Sequence, residues 1–389
     1  MTLTTETAGW LMLLAVAAYG FMIAVFTSGL ASLAGKKRRH ERPEATAGGA
    51  TSVSVIIPAR NEAHNIPRLL EDIGRQDFPL HRLEVIVSDD QSEDGTPETA
   101  RRFGEMHPGF PLQVVTAGLK GADGRGKKRA IERAVAASTG GILLFTDADT
   151  FRGDRWISSM VGGFEKKGMV MVLGPVSFTR EKNLLQKMQS LEFMGLMGVT
   201  AGSAAGGYPV MCNGANLAYR REAFGRTRGF ESNIQFPSGD DQFMLSRIRR
   251  IYGKGSIVFN PDPAATVGTV PEKTLAGFVN QRMRWVSKSR GYRDPVVIVA
   301  GAVTYLAHFL LLAGLLWGFF SPAILAYTVP LWLLKILLDY PAVAIMMRFL
   351  GKRKLSRYYF IAQVFQLVYV PVVGVLGLFL PYKWKGRKG

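Results

Sequence analysis

Residues 8–35 form a long stretch without a single charged side chain. A helix rises about 1.5 Å per residue, so this stretch is long enough to cross a hydrocarbon core of roughly 30 Å. A cleaved signal peptide fits poorly, because residues 1–7 contain Glu6 but no basic residue and no small-residue cleavage site follows. The sequence therefore predicts an N-terminal transmembrane anchor at 8–35.

Three more apolar blocks follow near the C-terminus, at 296–320, 323–347 and 358–380, and predict a membrane region over residues 296–382. Four spans would place both termini on the same side of a membrane. The tail 383–388 is basic, however, and basic tails are usually retained in the cytoplasm. Two alternatives stay open: the last block spans, or Pro371 and Gly374 break it into a re-entrant segment.

The formal net charge of +18 is compatible with either nucleic acid or a membrane surface. The densest basic clusters, 36–39 and 352–354, border apolar blocks, which favours anionic lipid. No nucleic-acid motif is present, so we expect a membrane partner and no nucleic acid, and leave the oligomeric state open. A single cysteine, Cys212, excludes an internal disulfide and a multi-cysteine zinc site. The basic run after the anchor predicts a cytoplasmic catalytic domain, with a bacterial inner membrane as the expected location.

Between the apolar ends, short β-branched runs alternate with helix-like segments. After a basic linker at 36–51, strand-like runs occur at 53–58, 83–90, 113–115 and 141–147. This alternation predicts an α/β domain over residues 52–290 with a Rossmann-like, mostly parallel sheet. Ligands of such sheets bind beyond the carboxyl ends of the strands, where the acidic residues of this chain fall.

Asp147-Ala148-Asp149 directly follows an apolar strand, so its two carboxylates emerge in one loop. Mg²⁺ or Mn²⁺ is commonly held by one or two carboxylates together with substrate phosphates. A motif this short also occurs by chance.

Two further acidic segments, and a lysine between them, have both structural and functional interpretations. Asp89-Asp90 could form an Asx-rich turn or contact a ligand, and Lys127 could meet a phosphate near a helix start, although Lys128 and Arg129 make that assignment uncertain by a residue. Asp240-Asp241 precedes a helical stretch, where Asp240 suits a helix N-cap and either residue suits a general base.

Three features concern the apolar regions and their borders. Gln281-Arg282-Met283-Arg284-Trp285 could anchor an interface or bind a diphosphate and a sugar face. Residues 184–198 have helical apolar spacing, which suits either an interfacial helix or ordinary core packing. Lys335 and Asp339 lie four residues apart within a predicted span, and a mutual ion pair is the favoured interpretation.

Taken together, these motifs resemble the family 2 glycosyltransferases, which have a GT-A fold, over about residues 52–290. The resemblance rests on Pro58-Ala59-Arg60-Asn61-Glu62, Asp89-Asp90-Gln91-Ser92, Gly126-Lys127, Asp147-Ala148-Asp149, Cys212-Asn213-Gly214-Ala215-Asn216, Asp240-Asp241 and Gln281-Arg282-Met283-Arg284-Trp285. The last segment is similar to the Q-x-x-R-W motif of cellulose, chitin and hyaluronan synthases and of ceramide glucosyltransferase.

The resemblance implies an inverting hexosyltransferase that uses a nucleotide sugar, usually a UDP-sugar, with a divalent metal, Mg²⁺ or Mn²⁺. It implies Asp241 as the catalytic base, with Asp240 as the alternative, and Asp149 as the principal metal ligand beside Asp147. Donor-binding residues would be Pro58, Arg60, Glu62, Asp89, Asp90, Lys127, Asp147, Arg282 and Arg284. Acceptor-binding residues would be Gln281, Trp285, Asn213 and Asn216. Gly239-Asp240-Asp241 departs from the more frequent Glu-Asp pairing, which leaves the identity of the base open between the two aspartates.

Two acceptors remain possible at the sequence level. The few apolar blocks after Trp285 favour a membrane lipid, while the Q-x-x-R-W match favours a growing polysaccharide made by a processive synthase. A non-catalytic binding protein would be expected to have lost catalytic carboxylates, and none is missing from the motifs above.

Overall fold

The computed structural model describes residues 4–34, 51–116, 126–234, 236, 238–384 and 387–388. The predicted linker at 36–51 lies outside them, apart from Thr51. The α-helices are α1 (Thr5–Ala34), α2 (Ile66–Gly74), α3 (Thr96–Met106), α4 (Lys127–Ala137), α5 (Trp156–Gly162), α6 (Leu184–Ala205), α7 (Arg221–Arg226), α8 (Asp240–Tyr252), α9 (Leu275–Ser287), α10 (Pro295–Trp317), α11 (Pro322–Phe349) and α12 (Tyr359–Phe379). The strands are β1 (Val53–Ala59), β2 (Leu83–Asp89), β3 (Leu112–Val115), β4 (Ile142–Phe145), β5 (Phe151–Arg152), β6 (Met171–Leu173), β7 (Val176–Phe178), β8 (Leu217–Arg220), β9 (Ile257–Phe259), β10 (Val267–Thr269), β11 (Lys383–Trp384) and β12 (Arg387–Lys388).

The chain divides into two compact units. The sheet unit comprises Lys36–Thr179 and Gly207–Val270, and the helical unit comprises Met1–Gly35, Arg180–Gly206 and Pro271–Gly389. This division differs from a continuous domain over 52–290, because α6 and α9 belong to the helical unit. Their apolar faces pack against α1, α11 and α12.

A seven-stranded sheet forms the centre of the sheet unit, in the order β3-β2-β1-β4-β8-β6-β9. Strands β1 to β4 pair in parallel, β8 is antiparallel to its neighbours β4 and β6, and β6 is parallel to β9. Most side chains of β1, β2 and β4 are buried, as expected for strands that helices cover on both faces. The predicted α/β fold with a mostly parallel sheet is confirmed.

The register of the sheet brings the strand ends to one edge. Ala59 lies opposite Asp89 and Ile56 lies opposite Phe145, so the segments that follow β1, β2 and β4 begin at nearly the same level. A smaller sheet, β5-β10-β7, lies beyond the loop that follows β4. The sequence motifs on these three segments therefore meet at one place.

Among the residues that the structure describes, four helices are long and apolar enough to cross a membrane: Thr5–Leu33, Pro295–Trp317, Pro322–Phe349 and the segment Arg353–Phe379. Helix α1 runs parallel to α11, because Gly9 lies against Tyr327 and Tyr19 lies against Asp339. Helix α10 runs antiparallel to both, with Gly314 close to Met12.

The last helix does not continue this alternation. The hydroxyl of Tyr359, the first residue of α12, donates to the carbonyl of Ile336 in the middle of α11 at 2.7 Å. Farther along α12, Gly374 packs against Tyr305 in the first half of α10, and Gly377 packs against Val286 at the end of α9. Helix α12 therefore starts within the bundle and runs back toward the end where α11 finishes. It continues as one helix through Pro371 and Gly374, so neither residue breaks the last apolar block, and the side of the C-terminus stays a prediction.

A buried polar cluster holds the start of α12 in place. Lys335 and Asp339 form the expected ion pair at 2.9 Å. The ammonium of Lys335 also donates to the side-chain oxygens of Gln363 and Gln366, both at 2.7 Å, and the hydroxyl of Tyr19 donates to Asp339 at 2.7 Å. These bonds join α1, α11 and α12 and satisfy charges that would be costly in an apolar bundle.

Helices α1 and α6 approach each other through two glycines. A Cβ atom on Gly202 would lie 1.9 Å from the carbonyl oxygen of Phe26, and one on Gly29 would lie 2.2 Å from the carbonyl oxygen of Gly202. Both values are far below van der Waals contact, so the crossing requires glycine. Met194 and Met197 of the same helix are buried, so α6 uses its apolar face for core packing.

We expect Gly202→Ala to force α1 and α6 apart and to destabilise the helical unit by roughly 1–3 kcal/mol, the usual cost of overpacking. Gly198→Ala is the matched control, because its Cβ atom would meet Ala342 and Leu30 at an ordinary 3.5 Å. The measurement is the thermal unfolding midpoint in detergent. Equal midpoints for the two variants would contradict the close crossing.

The direction of α12 predicts the topology of the termini. With Cys212 replaced by alanine, a cysteine at Ser356 and a C-terminal tag should be accessible from the same side of a sealed vesicle. A cysteine at Phe320, in the turn between α10 and α11, should be accessible only from the opposite side. Labelling of Phe320→Cys and the C-terminal tag from one side would show that α12 is a fourth crossing.

Candidate active site

The segment after β1 is fixed by the segment after β2. The guanidinium of Arg60 donates to the carbonyl oxygens of Asp90 and Gln91, at 2.8 and 2.7 Å. The backbone amide of Asn61 donates to Ser92 at 2.9 Å, and that of Glu62 donates to Thr96 at 2.8 Å. Arg60 and Glu62 are buried. These contacts fix the segment after β1 against the segment after β2, and the donor-binding roles of Arg60 and Glu62 stay predictions.

The two aspartates after β2 have different environments. Asp89 accepts from the backbone amide of Ser92, with both oxygens at 3.2 Å, which is the predicted Asx-type turn. Asp90 is buried, and its carboxylate accepts from the backbone amide of Gly126 at 2.8 Å. Asp90 thereby ties the turn after β2 to the start of α4.

The loop that follows β4 carries Asp147 and Asp149. Thr150 closes it, because its hydroxyl donates to the carbonyl of Asp147 at 2.6 Å and lies 3.0 Å from the hydroxyl of Thr146. Pro58 of β1, also a predicted donor residue, lies only partly buried at this edge of the sheet. Asp147 is partly buried, whereas Asp149 is exposed.

Lys127 is the lysine that meets these carboxylates. It is the first residue of α4, and its ammonium lies 2.8 Å from Asp147 and 3.7 Å from Asp240. Burial alone would lower the pKa of Lys127, but Asp147, Asp240 and Asp241 outweigh it and raise the pKa above its ordinary value. The neighbouring Lys128 donates to backbone carbonyls and Arg129 pairs with Glu132, so Lys127 is the residue of this run that contacts the carboxylates. Its contact with a donor phosphate stays a prediction.

Asp240 and Asp241 are the first two residues of α8, and the helix N-cap is Gly239. The expectation that Asp240 caps this helix is therefore wrong. Gly239 has a φ of 89°, a conformation that glycine adopts without strain. Asp241 accepts from the backbone amides of Gly214 at 3.1 Å and Gln242 at 2.7 Å. The positive end of the helix dipole favours carboxylates at this position.

The two predicted acceptor asparagines have different roles. The side-chain oxygen of Asn213 accepts from the backbone amide of Ala215 at 2.9 Å, which shapes the turn beside Gly214. Asn216 is fully buried, and its amide donates to the carbonyls of Pro175 at 2.7 Å and Ala265 at 2.8 Å. Its oxygen accepts from the indole of Trp156 at 3.0 Å. Every polar atom of this side chain is used inside the core, so the assignment of Asn216 to the acceptor site is corrected.

The carboxylates of this site could hold a divalent metal only together with oxygens from a bound diphosphate. In the described part of the chain, no group of three or more histidine, cysteine or acidic residues is arranged to hold a metal ion. Two carboxylates completed by diphosphate oxygens are, however, the usual arrangement for Mg²⁺. Asp149 offers an exposed carboxylate for this purpose.

The Q-x-x-R-W segment lies on α9 in the helical unit. Arg282 is buried against Glu192, while Gln281, Arg284 and Trp285 are partly exposed. The donor role of Arg284 and the acceptor roles of Gln281 and Trp285 stay predictions.

Sequence reasoning missed the role of Lys128, which binds the backbone of two residues that precede α8. Its ammonium donates to the carbonyls of Asn233 at 2.6 Å and Phe236 at 2.8 Å, and it lies 4.6 Å from the centroid of the Phe243 ring. The basic run around Lys127 gave no signal that its second lysine would face inward. Gly214 was also missed as a site residue, although a Cβ atom there would lie 3.4 Å from both Asp240 and Lys127.

Two family descriptions match this chain. "Glycosyl transferase family 2" matches residues 54–228 and "Glycosyl transferase family group 2" matches residues 142–379, which is more than half of the chain. The chain belongs to the family 2 glycosyltransferases. The motif residues at the carboxyl edge of the sheet form the candidate active site of this glycosyltransferase.

Two curated relatives show how far the likeness reaches. Glycosyltransferase AglE of Haloferax volcanii is 34% identical over 33% of this chain and 40% of its own length. Beta-monoglucosyldiacylglycerol synthase of Synechocystis is 32% identical over 29% of this chain and 24% of its own length. The chain thus spans less than half the length of either of these two relatives.

Among solved structures, a mannosyltransferase from Pyrobaculum calidifontis, in complex with GDP-Man and Mn²⁺, is similar over 96% of this chain and 99% of its own. The TM-score is 0.60 and the sequence identity is 21%, which supports the same fold. The GT-A fold expected for this glycosyltransferase is confirmed.

Burial lowers the pKa of Lys128 in the glycosyltransferase to about 8, against an ordinary value of 10.5. The unfolded chain therefore binds more protons than the folded one between these two pH values, and the contribution of Lys128 to stability rises with pH across this window. Relative to Lys128→Met, the parent should gain stability from about pH 8 to pH 10.5. Unfolding midpoints over this range measure the difference.

The exposed Lys167 provides the control for this experiment. Lys167→Met should follow the parent at every pH. A parent curve parallel to that of Lys128→Met would show that the Lys128 pKa is not lowered in the folded state.

Proposed function

We propose that this glycosyltransferase transfers a single sugar, with inversion at the anomeric carbon, from a nucleotide sugar to a membrane lipid at the cytoplasmic face of a membrane. The observation that carries the proposal is the convergence of Lys127, Asp147, Asp240 and Asp241 at the carboxyl edge of the sheet, in a chain that also has four apolar helices of spanning length. A UDP-sugar is the first donor to test.

In the proposed reaction, an acceptor hydroxyl attacks the anomeric carbon on the face opposite the diphosphate. The bond between that carbon and the phosphate oxygen breaks, the nucleoside diphosphate leaves, and Asp241 takes the hydroxyl proton as general base. Asp241 is preferred over Asp240 because Asp240 is paired with Lys127, whereas backbone amides hold Asp241 in a fixed orientation.

The donor side depends on the charges around the diphosphate. Lys127 would turn its ammonium toward the phosphates, and Asp90 would hold the base or ribose from the turn after β2. Asp149, with Asp147, would hold a divalent cation. The cation would neutralise part of the negative charge that develops on the leaving diphosphate. The contacts of Lys127 with Asp147 and Asp240 keep these groups together.

The lipid acceptor is supported by composition and by a relative. The exposed side of α12 is apolar and includes Phe360, Val364, Val368 and Phe379. Such a stripe suits contact with acyl chains. A curated relative matched over part of this chain is a diacylglycerol glucosyltransferase by its name, beta-monoglucosyldiacylglycerol synthase.

The test incubates purified protein with Mn²⁺ or Mg²⁺, a panel of UDP- and GDP-sugars and a membrane lipid extract, and identifies products by mass. A lipid that gains one hexose supports the proposal. A long polymer would instead support the processive synthase, and the absence of any transfer would overturn both.

Asp241→Asn should lower the turnover roughly 10²- to 10⁴-fold, because a general base contributes about this much. Asp149→Ala should raise the Mn²⁺ concentration needed for half-maximal turnover. Asp154→Asn, which removes an exposed carboxylate of the same unit, is the control and should retain parental rates. Parental turnover in Asp241→Asn would exclude Asp241 as the base.

A further inference from the structure

We propose that Arg282 is a positioning residue, which holds Trp285 and Gln281 of the acceptor motif in place instead of binding the donor diphosphate. This inference rests on the glycosyl transfer proposed above. It gives Arg282, at the first x of the Q-x-x-R-W segment, a role different from that of Arg284, the R of the motif.

The charge of Arg282 is satisfied inside the helical unit. Its side chain is only 4% exposed, and its partner Glu192 on α6 is 8% exposed. The Nε group of Arg282 donates to one oxygen of Glu192 at 3.1 Å, and an Nη group donates to the other oxygen. This is the two-pronged geometry that makes arginine–carboxylate pairs strong and directional.

A third helix joins the same carboxylate. The hydroxyl of Tyr369 on α12 donates to Glu192 at 2.6 Å. The Tyr369 ring also lies edge-on to Phe278 of α9, with ring centroids 5.0 Å apart. Glu192 therefore links α6, α9 and α12, and Arg282 is the cation that makes a buried carboxylate acceptable at this junction.

The remaining surfaces of the Arg282 side chain face the acceptor motif. Its guanidinium carbon lies 4.1 Å from the centroid of the Trp285 ring and 4.5 Å from that of Phe278. Its other Nη group donates to the side-chain oxygen of Gln281. Stacking and hydrogen bonding thus hold both ends of the motif from one side chain.

These contacts leave little for a phosphate. A diphosphate would be bound through the same fork of N–H groups that Glu192 already occupies. Releasing Arg282 would leave the buried Glu192 without the cation that balances its charge. Arg284 lies two residues later and is partly exposed, so its guanidinium is open to a ligand in a way that the buried Arg282 is not.

The experiment uses the full-length protein and separates positioning from folding with paired variants. Arg282→Met leaves a buried, uncompensated carboxylate, so it should be unstable. Arg282→Met with Glu192→Leu removes both charges and should recover most of the parental unfolding midpoint, as buried ion pairs replaced by apolar residues often do. Arg282→Lys keeps the charge without the fork and should be intermediate.

Two readouts decide the role in the double variant. The first is the ¹⁹F spectrum of protein labelled with fluorotryptophan, in which the Trp285 resonance is assigned by its loss in Trp285→Phe. The second is the affinity for UDP and GDP in the presence of Mn²⁺, measured by calorimetry. We expect the Trp285 resonance to shift, the nucleotide affinity to stay within about threefold of the parent, and the turnover to fall at least tenfold.

An unchanged Trp285 resonance, or a tenfold loss of nucleotide affinity in the double variant, would overturn the positioning role. The proposed function fails separately, when the parent transfers no sugar to any lipid from the donor panel. The Trp285 resonance and the nucleotide affinity still test Arg282 in that case, because neither readout requires transfer.

Discussion

Three carboxylates gather around one ammonium group at the edge of the central sheet, and the site depends on that balance of charge. Without Lys127, Asp147, Asp240 and Asp241 would repel one another across a small, partly buried space. The ammonium, 2.8 Å from Asp147, offsets this repulsion from the first residue of α4. Asp147 follows β4, whereas Lys127 begins α4 and Asp240 and Asp241 begin α8, so the packing of these two helix starts beside the end of β4 brings the opposite charges together.

The surrounding segments keep these groups in place mainly through backbone contacts. Arg60 donates to two backbone carbonyls, Asp90 accepts from the backbone amide of Gly126, and Lys128 donates to two carbonyls before α8. Charged side chains that bind backbone groups fix the path of a loop more firmly than surface ion pairs do. These hydrogen bonds to the backbone therefore hold the candidate site residues in place before any ligand binds.

In the helical unit, polar groups inside an apolar bundle have a comparable organising effect. The cluster of Lys335, Asp339 and Gln363 fixes the start of α12, and the cluster of Arg282, Glu192 and Tyr369 fixes its later part against α6 and α9. Burying a charge without a partner is costly, so each cluster tolerates few alternative arrangements. The return of α12 toward the end where α11 finishes follows from these contacts, and it also agrees with the basic character of the tail.

The sequence alone determined the α/β class, the apolar segments and the acidic motifs that follow the strands, because strand periodicity, hydropathy and short acidic motifs are local signals. It could not determine which asparagine of Cys212-Asn213-Gly214-Ala215-Asn216 faces the core, that Gly239 rather than Asp240 caps α8, or which lysine reaches the carboxylates. Those outcomes depend on which backbone carbonyls lie nearby after folding. A lone Glu192 in an apolar helix was the one local signal that could have indicated the buried partner of Arg282. Only the tertiary structure decided the direction of α12 and the pairing of Arg282, since both arise from contacts between segments far apart in the chain.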